Sequence, residues 1–137
     1  MNPNKFSLSA PFFRPVVLTY GLVHIVAGFV IWFMPSITGL FLNAALPADA
    51  ATLVGFISAL AGLGFSGAAL VESKTAKLLV LKLAALGNAL NFLAHLHNVA
   101  RGYAPEWFGF LAAALILAVL IILFLLYRGV CNAGEVV

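Results

Sequence analysis

Four long apolar runs, separated by short polar links, dominate the pattern of this chain. Each run contains 18 to 21 residues, and together they cover residues 16–33, 52–71, 78–97 and 107–127. About 20 helical residues cross the roughly 30 Å hydrocarbon layer of a membrane. Short links favour antiparallel neighbours and leave no room for a second domain. The pattern predicts an all-α protein whose single domain, residues 1–137, is a transmembrane four-helix bundle with up-down-up-down topology.

Composition and charge agree with a membrane protein. Hydrophobic residues make up 64% of the chain and charged residues 8%, whereas soluble domains carry about 25% charged residues. Six of the seven basic residues fall on one predicted side of the membrane, and Arg101 falls on the other; the six are Lys5, Arg14, Lys74, Lys77, Lys82 and Arg128. The positive-inside rule then places both termini in the cytoplasm. Orientation explains the net charge of +3, so no nucleic-acid partner is expected.

A polar stripe interrupts the third run. Asn88, Asn91, His95 and Asn98 lie within an arc of about 80° on an α-helix, while the rest of the run is mainly Leu, Ala, Val and Phe. Lipid offers these side chains no hydrogen bonds. The stripe is therefore predicted to face the protein interior, a ligand or another chain.

Depth along the helix divides this stripe. With a rise of about 1.5 Å per residue, Asn88 and Asn91 lie near the membrane midplane, at the depth of His24 in the first run. The candidates for a ligand-binding site or a buried polar network are His24, Asn88, Asn91 and His95. An outer vestibule is predicted from Asn98, Tyr103 and Glu106.

Small residues mark one face of the second run. They fall within about 100° of one another and include Gly55, Ser58, Ala59, Gly62 and Ser66. Small residues spaced by four allow helix backbones to approach closely, so this face is predicted to make the tightest helix contact, within the bundle or in a homodimer. The fourth run has almost no polar residues and is expected to be the most exposed to lipid.

Groups that carry catalysis or bind metals are scarce. The single cysteine, Cys131, has no CxxC or Cys/His metal spacing around it, and the bundle contains no paired carboxylates and no Ser-His-Asp or Cys-His grouping. Bis-histidine haem is disfavoured, because His24 and His95 differ in depth by about 10 Å. No cofactor or metal is predicted, and a non-enzymatic role is favoured over an enzymatic one.

The layout of the runs resembles a known group of proteins. The first run reads Tyr20-Gly-Leu-Val-His-Ile-Val-Ala-Gly28 before Pro35, and the third ends Asn91-Phe-Leu-Ala-His-Leu-His97. With the Gly/Ala-rich second run, this resembles the small four-span bacterial proteins of the DoxX-like superfamily and related uncharacterised families. The resemblance implies a bacterial cytoplasmic (inner) membrane. Members named for a thiosulfate:quinone oxidoreductase imply a role beside membrane redox chemistry.

Three functions fit these features. The first is an accessory or packing subunit, surrounded by membrane lipid, in a homo-oligomer or with other membrane subunits. The second is an intramembrane pocket for a quinone, lipid or pigment, either catalytic or only binding. The third is a small transporter or channel, ranked last because the stripe ends at Asn88 and no polar path continues to the inner surface.

Overall fold

The structure, a computed structural model, describes residues 10–34, 48–102 and 106–133. These ranges contain a short 3-10 helix at Ala10–Phe12 and four α-helices, which are α1 (Phe13–Phe33), α2 (Ala48–Ala68), α3 (Lys74–Ala100) and α4 (Glu106–Asn132). All four α-helices are long and apolar enough to cross a membrane. The predicted all-helical architecture, with four helices long and apolar enough to span a membrane, is therefore confirmed.

The helices do not end where the apolar runs end. Helix α3 begins four residues before its run and continues three residues beyond it. Hydropathy reports the part of a helix that faces hydrocarbon, whereas the backbone hydrogen bonds that define the helix continue into the polar flanks. The flanks of α3 carry Lys74 at one end and Asn98 at the other, so its polar ends extend beyond its apolar centre.

Helices α1 and α2 form one pair, which packs through glycines. A methyl group built on Gly62 would lie 2.6 Å from the carbonyl oxygen of Gly21, and one built on Gly28 would lie 2.6 Å from that of Gly55. No side chain fits between backbones this close, so only glycine allows the contact. The contacts run in opposite chain order along the two helices.

Helices α3 and α4 form the second pair, with contacts near both ends. Lys74 donates a hydrogen bond of 3.0 Å from Nζ to the carbonyl oxygen of Ala133, just beyond α4. At the other end Gly109 packs closely against the side chain of Val99. A lysine ammonium at the carboxyl end of a helix satisfies a terminal carbonyl and interacts favourably with the helix dipole.

The two pairs share a hydrophobic core at one end of the molecule. Its buried members come from the first halves of α1 and α3, from the turn directly after α2 and from the second half of α4; they are Phe13, Val17, Ala69, Leu81, Ala84, Leu123, Leu126 and Val130. We call this the convergent end. Phe13, Leu81 and Leu126 have the largest fully buried side chains there.

Burial between the pairs decreases away from the convergent end. On α3 the exposed fraction is 1% at Leu81, 3% at Ala84 and 8% at Asn88. Asn91, about one turn further on the same face, is exposed, and His95 is half-buried. The interface between the pairs is thus closed at the convergent end and more open beyond Asn88.

One expectation from the sequence is wrong. Helix α4 is not the helix most exposed to lipid, because it buries as large a share of its residues as any other described span. It supplies Leu123, Leu126 and Val130 to the core. A helix that is apolar all round carries no polar marker of its inward face, so its sequence does not distinguish lipid contact from core packing.

Candidate functional site

Polar and aromatic side chains gather around Tyr20, where the two helix pairs meet. Asn88 on α3 donates from Nδ2 to the Tyr20 hydroxyl at 2.6 Å, so the bond joins the pairs. The ring centroid of Tyr20 lies 4.3 Å from that of His24 and 4.9 Å from that of Phe65, which meets it edge-on. We call Tyr20, His24, Phe65 and Asn88 the Tyr20 cluster. It combines three helices and lies directly beyond the apolar core.

The ring of His24 is oriented by its own helix. Its Nδ1 lies 2.9 Å from the backbone carbonyl oxygen of Tyr20, one turn earlier. Since a carbonyl oxygen only accepts, Nδ1 must carry a proton, so in the neutral form of the ring Nε2 carries the lone pair. The backbone carbonyl of His24 in turn accepts a hydrogen bond of 3.1 Å from Ser58 Oγ on α2. His24 therefore presents Nε2 as an acceptor from a position that α1 and α2 hold together.

The amide of Asn88 has only one orientation that satisfies its neighbours. Its Nδ2 lies 2.8 Å from the carbonyl oxygen of Ala84, which can only accept, so the NH₂ group must face it. The Tyr20 hydroxyl is then the acceptor from the same Nδ2, which leaves its own proton for another acceptor. Tyr20 can donate one further bond, while Asn88 Oδ1 and His24 Nε2 can accept. This combination suits a small polar group on a lipid-soluble molecule.

The structure does not bring the other candidate residues into this cluster. Asn91 is exposed, His95 and Asn98 are half-buried, and Glu106 is exposed at the start of α4. Tyr103 lies outside the described residues. Within residues 10–34, 48–102 and 106–133, no hydrogen bond connects Asn91 or His95 to the Tyr20 cluster.

The small-residue face of α2 lies against α1. Gly55, Ala59 and Gly62 are buried there, and Ser58 makes the hydrogen bond to the His24 carbonyl. Ser66 Oγ is buried beside Gly21, and no hydrogen-bond partner for it lies within the described part of the chain. The face that the sequence marks for close contact is thus occupied by this chain's own first helix.

Sequence reasoning did not assign Tyr20 or Phe65 to the site. A signal existed for Tyr20, because a phenol within an apolar run needs a hydrogen-bond partner, and Tyr20 lies one turn before His24 on the same helix face. Phe65 carried no such signal, since it is one of 12 phenylalanines in the chain. Only its packing against Tyr20 identifies it.

The Tyr20 cluster coincides neither with a metal-binding group nor with the apolar groove on α1. The described residues contain no group of three His, Cys, Asp or Glu side chains that could hold a metal ion. An apolar groove of about 520 Å³ runs along α1 from Thr19 to Ile31, and its described lining does not include Tyr20 or His24. The hydrogen-bonding groups of Tyr20, His24 and Asn88 therefore define the candidate site. In comparisons with known proteins, no family model matches this chain, and no curated protein or solved structure matches it.

Proposed function

We propose that this integral membrane protein is a non-enzymatic packing subunit, either of a homo-oligomer or of a larger membrane complex. The observation that carries the proposal is the exposure of Asn91 within a membrane-spanning helix. Lipid cannot satisfy a side-chain amide, whereas a neighbouring helix can. Within the described residues no hydrogen bond from the Asn91 side chain is found, and a second protein chain that covers this face of α3 would provide a partner.

The depth of Asn91 strengthens this argument. Helix α3 extends from Lys74 to Ala100, so Asn91 lies about 6 Å from the helix midpoint. Half of the hydrocarbon layer is about 15 Å thick, which leaves Asn91 well inside it. Asn98, by contrast, is near enough to the end of α3 to reach interfacial water.

The proposal includes an arrangement in the membrane. The helices run up-down-up-down, and both termini lie on the cytoplasmic side of a bacterial inner membrane. The reversed order of contacts within each helix pair supports the topology. The basic residues Arg14, Lys74, Lys77 and Lys82 near the convergent end support the orientation. Membership of the DoxX-like superfamily stays a prediction.

Site-specific photocrosslinking tests the subunit role. A photoreactive residue replaces Asn91 in the full chain, and the matched control replaces Leu93, which is also exposed but points about 160° away. We expect a discrete crosslinked species, a dimer or a defined complex, from position 91 in native membranes and much less from position 93. Equal crosslinking from both positions, or none from position 91, would contradict the proposal.

The spare hydrogen-bonding capacity of the Tyr20 cluster favours a second candidate function. In this alternative, the cluster binds the polar group of a quinone, lipid or pigment between the helix pairs. His24→Phe keeps an aromatic ring beside Tyr20 but removes Nε2, and His97→Phe is a control at an exposed position on α3. Mass spectrometry of solvent-extracted protein should detect a bound molecule in the wild type and in His97→Phe but not in His24→Phe. Equal retention by both variants would eliminate this pocket.

A further inference from the structure

A basic pocket lies at the convergent end, and none of its lining residues belongs to the Tyr20 cluster. It has a volume of about 400 Å³, and its walls come from the start of α1, the turn after α2 and the first turn of α3. Its charged residues are Arg14, Glu72 and Lys77, and its apolar walls include Phe13 and Leu70. Neither the packing role nor the ligand hypothesis uses this pocket.

The two cations are positioned differently. Lys77 is half-buried, and its Nζ lies 5.7 Å from the centroid of the Phe13 ring. That ring belongs to the core, with an exposed fraction of 1% for Phe13. The ammonium group therefore makes its cation–π interaction with a ring that is held in place by packing. Arg14 follows Phe13 directly and is exposed, which leaves its guanidinium able to reach a ligand in the pocket.

The pocket carries a net positive charge. Arg14 and Lys77 contribute two positive charges and Glu72 one negative charge. Within the described residues, Glu72 forms no ion pair with either cation. An anionic group in the pocket would therefore meet two cations that form no ion pair with Glu72, and an arginine fork matches the oxygens of a phosphate group.

The pocket also lies at the depth of lipid headgroups. Arg14 and Lys77 come just before apolar runs, and Glu72 comes directly after one. The side chain of Leu70 in the pocket wall is 64% exposed, which provides an apolar surface beside the charged groups. A free anion needs only the cations, whereas a phospholipid uses both the cations and the apolar wall.

We propose that this pocket binds the phosphodiester headgroup of an anionic phospholipid in the leaflet at the convergent end. Arg14 and Lys77 contact the phosphate oxygens, and an acyl chain lies against Leu70. Basic pockets between membrane helices recognise anionic headgroups in this way. The inference is independent of the proposed function, because it involves neither Asn91 nor the Tyr20 cluster.

Native mass spectrometry of the full-length protein in detergent tests the site, with phosphatidylglycerol and phosphatidylcholine as probes. Each basic residue near a membrane surface changes the affinity for anionic lipid about fivefold. We expect Arg14→Gln and Lys77→Gln each to reduce phosphatidylglycerol binding by about that factor, with no change in phosphatidylcholine binding. Arg101→Gln is the matched control, since it removes one exposed positive charge at the opposite end of α3.

Further controls test whether each variant is folded and whether the bound phosphate group belongs to a lipid or to a free anion. Lys77→Arg should keep wild-type lipid binding, and each variant must remain monodisperse and helical by circular dichroism. A large excess of inorganic phosphate should not displace the lipid, and displacement would overturn the assignment to a phospholipid. Equal phosphatidylglycerol binding by wild type, Arg14→Gln and Lys77→Gln, or an equal loss in Arg101→Gln, would overturn the site itself.

Discussion

Asn88 of α3 donates a hydrogen bond of 2.6 Å to the hydroxyl of Tyr20 on α1, directly beyond the shared core of the two helix pairs. On the core side of this bond the facing residues are apolar and buried, as at Leu81 and Ala84. On the other side the same face of α3 continues to exposed Asn91. The bond therefore marks the point at which close packing between the pairs gives way to a more open polar face.

The Tyr20–Asn88 bond should show energetic coupling between α1 and α3. Polar pairs between membrane helices contribute roughly 0.6–2 kcal/mol. We expect a double-mutant cycle of Tyr20→Phe and Asn88→Ala to give a coupling energy in that range when unfolding is measured in bicelles by steric trapping. Tyr127→Phe is the control for the loss of a tyrosine hydroxyl. It removes a hydroxyl that is not part of the Tyr20–Asn88 bond and keeps the ring that lies near Lys82. Additive effects of the two substitutions would mean that the bond does not form.

Helix α2 offers a matched test of the glycine contact. Gly62→Ala would place a methyl group 2.6 Å from the Gly21 carbonyl oxygen, whereas Gly64→Ala would meet nothing within 4 Å. Overpacking of this kind costs roughly 1–3 kcal/mol, so Gly62→Ala should lower the free energy of unfolding by about that amount. Gly64→Ala should leave it unchanged or raise it slightly, since alanine is the better helix former. Similar stability of both variants would show that α1 and α2 do not approach as closely as described.

Two asparagines one turn apart should behave differently. Asn88 is buried and bonded to Tyr20, whereas Asn91 is exposed. Asn88→Leu should lower the free energy of unfolding of the isolated chain, because it removes the bond between the pairs. Asn91→Leu should change that free energy by no more than about 0.5 kcal/mol but should reduce the oligomer or complex seen by native electrophoresis. Loss of assembly in Asn88→Leu alone would contradict the role proposed for Asn91.

The single cysteine provides a direct test of orientation. Cys131 is exposed near the end of α4, and the charge distribution predicts that this end is cytoplasmic. A membrane-impermeant thiol reagent should label it in inverted vesicles but not in intact cells. Ala100→Cys in a Cys131→Ser background should show the opposite pattern, because Ala100 is exposed at the other end of the α3–α4 pair. Labelling of Cys131 from outside intact cells would reverse the proposed orientation.

Some contacts in this structure could be predicted from the sequence, and others could not. The close contact made by the small residues of α2 was predictable, because small side chains at a four-residue spacing are typical of closely approaching helices. Their partners Gly21 and Gly28 were not, since nothing in α1 alone states which helix it contacts. Asn88 was identifiable as a polar residue in an apolar run, but its bond to Tyr20 depends on how two distant helices cross. The burial of α4 was mispredicted because Leu and Ile suit lipid and core equally.

The sequence by itself determined that this protein has four apolar helices and a polar stripe on the third, because hydropathy and helical period are local properties of the chain. Tertiary structure alone decided that the helices associate as two pairs, that their shared core lies at the convergent end, and that Asn88 is buried while Asn91 is not. These outcomes depend on which backbones approach closely enough to exclude side chains. In a membrane, packing and hydrogen bonding between helices determine which helices pair. Hydrophobicity does not, because all four helices share it.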